Sequence, residues 1–112
     1  MKITESKFYR DRCYINGEWI TADSGETISV NNPATLEEIG TVPKCETAET
    51  KRAIEAANEA WPEWRAKSAR QRSDILRKWF DLMTQNKEEL AQMMTIEQGK
   101  PINESRGAVS YT

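Results

Sequence analysis

The segment Cys13-Tyr14-Ile15-Asn16-Gly17-Glu18-Trp19-Ile20 carries the clearest local signal for the fold, an Asn-Gly pair between two short runs of strand-forming residues. Asn-Gly favours a type I′ turn because both central residues of that turn take positive φ angles. The segment therefore predicts a β-hairpin. Residues 27–30 and 38–42 are rich in β-branched residues and predict two more strands, the second of which ends at Pro43. Residues 1–44 are thus expected to form an N-terminal β-ribbon.

Residues 45–112 have the apolar spacing of helices instead. A first helix is predicted to begin near Thr47, with Glu49 in its first turn, where the helix dipole favours an acidic side chain. The residue before a proline tends to leave the helical region of backbone space. Pro62 therefore predicts a stop or a kink near residues 60–61.

Further helix signals follow. Ser68-Ala69-Arg70-Gln71 matches a capping box, Asn86 precedes two acidic residues as at a helix start, and Gly99 suits a helix end. Pro101 fits the first turn of a last helix, whose pattern still continues at Thr112. The helical segment is therefore expected to be incomplete at its C-terminal end. The broad apolar stripe after the capping box consists of Arg72, Ile75, Leu76, Trp79, Phe80 and Met83.

These elements predict an α+β chain, in which the β-ribbon of residues 1–44 is followed by three or four helices in residues 45–112. Hydrophobic residues make up 38% of the 112 residues, below the ~45–50% apolar share of ordinary globular domains. The buried core is therefore expected to be incomplete.

The residue inventory excludes several classes of function. Sixteen basic and eighteen acidic side chains give a net charge of −2, without the basic excess that nucleic-acid binding requires. The chain has no histidine, so it cannot build a Ser-His-Asp or Cys-His catalytic pair. No stretch approaches the ~18 apolar residues of a transmembrane helix. The N-terminus lacks the apolar core of a signal peptide, and we expect a cytoplasmic protein with no membrane or nucleic-acid partner.

Cys13 and Cys45 are the two cysteines of the chain. Zinc takes about four ligands, so a structural zinc site is not expected. The sequence permits one disulfide between Cys13 and Cys45, although the lack of a signal peptide favours a reducing compartment. Cys45 lies beside a predicted helix start, whose dipole would lower the pKa of its thiol. A structural or incidental cysteine is nevertheless favoured over a reactive thiol, and neither residue is assigned a catalytic role.

Five segments resemble a known family when they are taken in order. They are Tyr14-Ile15-Asn16-Gly17-Glu18-Trp19, Asn32-Pro33-Ala34-Thr35, and residues 53–64, 72–78 and 90–101. Each segment is unspecific alone, but their order and spacing over residues 13–107 resemble the start of the aldehyde dehydrogenase superfamily. Residues 79–83 and 94–101 are most similar to its succinate-semialdehyde dehydrogenase branch.

The resemblance implies a longer, homo-oligomeric parent enzyme that oxidises succinate semialdehyde to succinate with NAD or NADP. It implies that this chain is part of the α/β Rossmann-like cofactor domain. In the family a cysteine thiolate attacks the aldehyde, amide donors hold the oxyanion, and a glutamate activates water. Those residues, and the cofactor-contacting segments, follow the part that this chain resembles. No catalytic, cofactor-binding or metal-ligating residue is therefore assigned here, and the chain alone is expected to be inactive and to bind no cofactor.

A second hypothesis needs no enzyme. The chain could be a truncated interaction or assembly module that self-associates through its apolar helix face, since large exposed apolar patches favour association. A third hypothesis, an anion- or nucleic-acid-binding helix pair, rests on the basic residues from Arg65 to Lys78. Asp74 is interspersed among them, which favours a salt-bridged exposed face over an anion site.

Overall fold

The computed structural model describes every residue from Met1 to Thr112. Four short strands precede four helices along the chain, after a 3-10 turn at Ile3–Glu5, and the predicted α+β class is confirmed. The strands are β1 (Cys13–Ile15), β2 (Glu18–Ile20), β3 (Thr27–Asn31) and β4 (Glu38–Pro43); the helices are α1 (Thr47–Ala66), α2 (Ala69–Gln85), α3 (Lys87–Gln98) and α4 (Ile102–Tyr111).

The predicted hairpin is confirmed. Strands β1 and β2 are antiparallel, and Tyr14 lies opposite Trp19 with the two ring centroids 4.9 Å apart. Asn16 and Gly17 form the turn with φ angles of 51° and 79°, the positive values that a type I′ turn requires. Strands β3 and β4 form a second two-stranded sheet.

A stop or a kink is predicted near residues 60–61. The stop is wrong, because α1 continues through Pro62 to Ala66. Proline lacks one N–H and so leaves the carbonyl of Asn58, four residues earlier, without its helical donor. Asn58 is exposed, and water can satisfy that carbonyl. The preference of the residue before proline for extended backbone is therefore overridden at this exposed end of the helix.

The other helix signals are confirmed, except that Pro101 is the N-cap of the last helix and does not lie in its first turn. The Ser68 backbone N–H donates to Gln71 Oε1 at 2.9 Å, and the Gln71 N–H donates to Ser68 Oγ at 3.2 Å, which completes the predicted capping box. Helix α3 follows Asn86 and ends at Gly99, whose φ is +77°. Pro101 lies immediately before α4.

The chain divides into two units. The first unit consists of Met1–Tyr9, Ser29–Gly40 and Leu76–Thr112. In it α3 packs against α4, and the hydroxyls of Thr95 and Ser105 are hydrogen-bonded at 2.8 Å. The small residues Ala91 and Ser105 have no exposed surface, so the two helices meet through small side chains. The other buried residues of this unit are Ile3, Ser6, Ala108 and Val109.

The second unit consists of Arg10–Ile28 and Thr41–Ile75, and it contains the hairpin and α1. Helix α1 contacts β1. The buried residues of this unit are Ala22, Pro43 and Glu49. Polar contacts therefore carry much of its organisation, as the low hydrophobic content predicts. The division at residue 44 into a β-ribbon and a helical segment stays a prediction.

Candidate functional site

The two cysteines, far apart in the sequence, lie side by side in the second unit. Cys13 is the first residue of β1, and Cys45 lies in the short connection between β4 and α1. The Cys45 thiol donates a hydrogen bond to the Cys13 sulfur, with the two Sγ atoms 3.7 Å apart. Both side chains are half-buried and both thiols are free. The sequence permitted this pairing, but nothing local to either residue predicts it.

The start of α1 next to Cys45 is organised by Glu49. The backbone N–H of Glu46 donates to Glu49 Oε2 at 3.0 Å. The backbone N–H of Asp23, from the turn after the hairpin, donates to Glu49 Oε1 at 2.7 Å. These two donors favour the charged carboxylate and hold the pKa of Glu49 below its ordinary value. One buried carboxylate thus caps the helix and ties it to a distant turn.

An ion pair joins the same turn and helix one turn further along α1. Arg52 donates to both oxygens of Asp23, with Nη1–Oδ2 at 2.9 Å and Nη2–Oδ1 at 2.7 Å. The hydrogen bonds to Asp23 raise the pKa of Arg52 further above its ordinary value. The paired geometry fixes the direction of both side chains, so the turn has one preferred position on the helix.

The lowered thiol pKa predicted for Cys45 from the helix dipole is wrong. Burial raises the pKa of Cys45, and the hydrogen bond to Cys13 and the nearby carboxylates of Glu49 and Asp23 raise it further. Desolvation and negative neighbours disfavour a thiolate. Cys45 is therefore protonated at neutral pH, which is the opposite of an activated nucleophile.

An open cleft of about 600 Å³ lies between the hairpin and α1 within the second unit. Arg12 and Arg52 line it together with Glu18, Glu55 and Glu59. Arg52 is already bound to Asp23, and the remaining charges have both signs. One basic side chain, Arg12, remains against three acidic ones, so the lining of the cleft has an acidic excess.

The apolar stripe of α2 lies exposed. Trp79 has 63% of its surface exposed, and α2 has no buried residue. Leu76, Trp79 and Phe80 follow the i, i+3, i+4 spacing of a single helix face. Trp79 is thus not a core residue of this chain. We call this exposed surface of Leu76, Trp79 and Phe80 the α2 apolar face.

The basic residues of α2 are paired along the helix. Arg70 contacts Asp74 at 3.2 Å, and Arg77 contacts Asp81 at 3.9 Å, each with i, i+4 spacing. The predicted salt-bridged exposed face is confirmed. No group of three or more metal-ligating side chains comes together in the structure, and none of its helices is both long and apolar enough to cross a membrane.

Comparison with known proteins decides the family. The sequence model of the aldehyde dehydrogenase family matches residues 19–112. The chain belongs to the aldehyde dehydrogenase family. The resemblance carried by the hairpin and helix segments is therefore confirmed.

Two curated relatives are similar over almost the whole chain. Glutarate-semialdehyde dehydrogenase of Pseudomonas putida is 56% identical over 99% of this chain. The NADP(+) succinate-semialdehyde dehydrogenase of Escherichia coli is 50% identical over the same share. In both cases the chain covers 23% of the relative's length. This aldehyde dehydrogenase chain therefore spans about a quarter of the relatives that it matches.

The fold agrees with the same family. Betaine aldehyde dehydrogenase of Staphylococcus aureus, solved in complex with NAD+, superposes with a TM-score of 0.89 at 31% identity. The superposition covers 97% of this chain and 22% of that one. The expectation that the α+β chain is part of an aldehyde dehydrogenase fold is confirmed.

Proposed function

We propose that this chain is the N-terminal part of an NAD(P)-dependent semialdehyde dehydrogenase that oxidises succinate semialdehyde to succinate. The observation that supports this most is the 56% and 50% identity to glutarate- and succinate-semialdehyde dehydrogenases over 99% of the chain. Both relatives are named for substrates with an aldehyde at one end and a carboxylate at the other. Glutarate semialdehyde is the competing substrate, because the more similar of these two relatives is named for it.

The role of this chain in the parent enzyme is structural. It supplies strands and helices that belong with the Rossmann-like cofactor domain, where NAD or NADP accepts the hydride. Cys13 and Cys45 face each other, and the raised pKa of Cys45 disfavours the thiolate that attack on an aldehyde needs. The chain alone is therefore inactive, and the family's nucleophile, base and oxyanion donors lie in other parts of the parent.

The parent enzyme is proposed to be a cytoplasmic homo-oligomer. The family resemblance supports this assignment. Its partner is the small aldehyde substrate, and neither nucleic acid nor a membrane is involved. The net charge of −2 agrees with the absence of a nucleic-acid partner.

Cofactor reduction tests the proposal. The 112-residue chain and the whole protein that contains it are each assayed by absorbance for reduced NAD and NADP. The substrates are succinate semialdehyde, glutarate semialdehyde and betaine aldehyde. We expect no turnover by the chain alone, and the highest kcat/KM of the whole protein with succinate semialdehyde. Turnover by the chain alone would refute its structural role, and a preference for betaine aldehyde would refute the semialdehyde assignment.

The α2 apolar face supports a second candidate, a self-associating interaction module. Leu76, Trp79 and Phe80 are 51%, 63% and 47% exposed, and such a surface favours association in water. Sedimentation of the 112-residue chain should show oligomers that Trp79→Lys dissociates. Ile54→Lys, at a residue of α1 that is 65% exposed, is the matched control and should leave the oligomers intact. A monomeric wild-type chain would exclude this candidate.

A further inference from the structure

The Cys13–Cys45 pair has no role in the proposed oxidation of the aldehyde by the parent enzyme. The two Sγ atoms are 3.7 Å apart, and a disulfide bond is about 2.05 Å long. The sulfurs need to approach by roughly 1.7 Å, a distance that side-chain rotation and a small backbone shift can supply. Both side chains are half-buried, so each sulfur keeps partial access to a small reagent.

The folded chain, and not the local sequence, brings the pair together. Cys45 belongs to the irregular connection between β4 and α1, and the N–H groups of its neighbours Lys44 and Glu46 donate to Glu26 and Glu49. Cys13 begins β1, a strand of a two-stranded sheet. The partner positions are 32 apart in the sequence, so only the folded chain brings them together. Folding should therefore favour a disulfide between these two cysteines over their random contact in the unfolded chain.

We propose that Cys13 and Cys45 are a thiol–disulfide exchange site that forms an intramolecular disulfide with a low-molecular-weight disulfide of the glutathione type. One cysteine thiolate attacks a sulfur of the reagent, breaks its S–S bond and releases one thiolate, which takes up a proton. The second cysteine, after losing its proton to solvent, attacks the protein sulfur of this mixed disulfide and releases the second thiolate. The two cysteines are oxidised by two electrons, and one reagent disulfide is reduced to two thiols.

The product joins the first strand of the hairpin to the residue that precedes the cap of α1. The contacts of Glu49 with Asp23 and Glu46 already hold this junction, so the covalent link reinforces an existing arrangement. Because the disulfide and the fold are linked, the fold must favour the disulfide by the same factor by which the disulfide favours the fold.

Exchange with glutathione buffers tests the proposal on the 112-residue chain, both in native buffer and in concentrated urea. After acid quenching and alkylation of free thiols, trypsin cleavage at Arg12 and Lys44 leaves the two cysteines on separate peptides. We expect the linked peptide pair, and an equilibrium constant for the disulfide about tenfold or more above that in urea. Cys13→Ser and Cys45→Ser should each instead give a mixed disulfide with glutathione at the remaining cysteine.

Three results would overturn the proposal. They are glutathione on both cysteines of the native chain, disulfides between chains in place of the intramolecular one, and equal equilibrium constants in native buffer and in urea. Repeating the exchange on the whole protein, with cofactor reduction measured in parallel, separates this site from the reaction, since its disulfide should form whether or not the enzyme is active.

Discussion

Replacement of Gly99 by alanine tests the junction between α3 and the loop before α4. Gly99 ends α3 in the left-handed region, with φ at +77°, and its N–H donates to the carbonyl of Thr95 at 2.8 Å. A Cβ atom at this position would lie 2.8 Å from Pro33 Cγ and 3.2 Å from the backbone nitrogen of Ala34. Alanine would thus meet both an unfavourable backbone angle and a close neighbour.

The two contributions can be estimated separately. The left-handed conformation costs an L-residue about 1–2 kcal/mol. The contact with Pro33 and Ala34 is an overpacking of about 1–3 kcal/mol, since the Ala34 backbone cannot rotate away as a flexible side chain could. Gly99→Ala should therefore lower the free energy of unfolding by about 2–5 kcal/mol.

Gly25 provides the matched control. Its φ is +73°, and an added Cβ would have no heavy atom within 4 Å. Gly25→Ala should lose only the backbone contribution, about 1–2 kcal/mol. The assay is urea unfolding of the 112-residue chain followed by far-ultraviolet circular dichroism. Equal losses for the two variants would refute the close approach at Gly99, and a stabilising Gly99→Ala would refute the left-handed helix end.

Three other predictions concern packing, acid stability and helix propensity. Ala91 has no exposed surface, so Ala91→Leu should cost about 1–3 kcal/mol in the same urea assay, whereas Leu at the exposed Ala57 should be nearly neutral. Glu49 has a lowered pKa, so its stabilising contribution is present above its ordinary value of 4.5 and is lost as the pH falls through the lower folded value. Glu49→Gln should therefore flatten the acid limb of a stability–pH curve, and Glu59→Gln, at an exposed site of the same helix, should not. Gly107→Ala adds a Cβ with nothing within 4 Å inside α4 and should raise the free energy of unfolding by about 0.5–1 kcal/mol; a loss would show that the site is crowded.

Local sequence signals predict most of the elements because their physics involves only a few neighbouring residues. The turn at Asn16-Gly17 follows from φ preferences, and the box at Ser68 and Gln71 follows from two donors within one helical turn. Pro62 shows the limit of this reasoning. Its cost is one unsatisfied carbonyl, and whether water can reach that carbonyl depends on exposure, which the sequence around Pro62 does not specify.

The candidate site is non-local, and the sequence predicts it poorly for that reason. Glu49 is predictable as an acid in the first turn of a helix, but its bond to the Asp23 backbone joins residues 26 positions apart. The Cys13–Cys45 contact spans 32 positions. The direction of the Cys45 pKa shift then follows from burial and from Cys13, both of which depend on that contact. The helix dipole alone predicts the wrong direction for the Cys45 pKa, because the contact with Cys13 is not visible in the local sequence.

The two units are held by different kinds of contact, and these contacts respond differently to pH and to oxidation. In the first unit, α3 packs against α4, and Ala91 and Ser105 have no exposed surface, so the packing there depends on the volume of small side chains. In the second unit the buried residues are Ala22, Pro43 and Glu49, and Glu49 and the cysteine pair lie at the start of α1. Hydrogen bonds to a carboxylate change with protonation, and thiols change with oxidation, whereas apolar packing responds to neither. Carboxylate contacts occur in both units, because Arg106 of α4 donates to Glu88 of α3 in the first unit, whereas the thiol pair lies in the second unit, where β1 meets the beginning of α1.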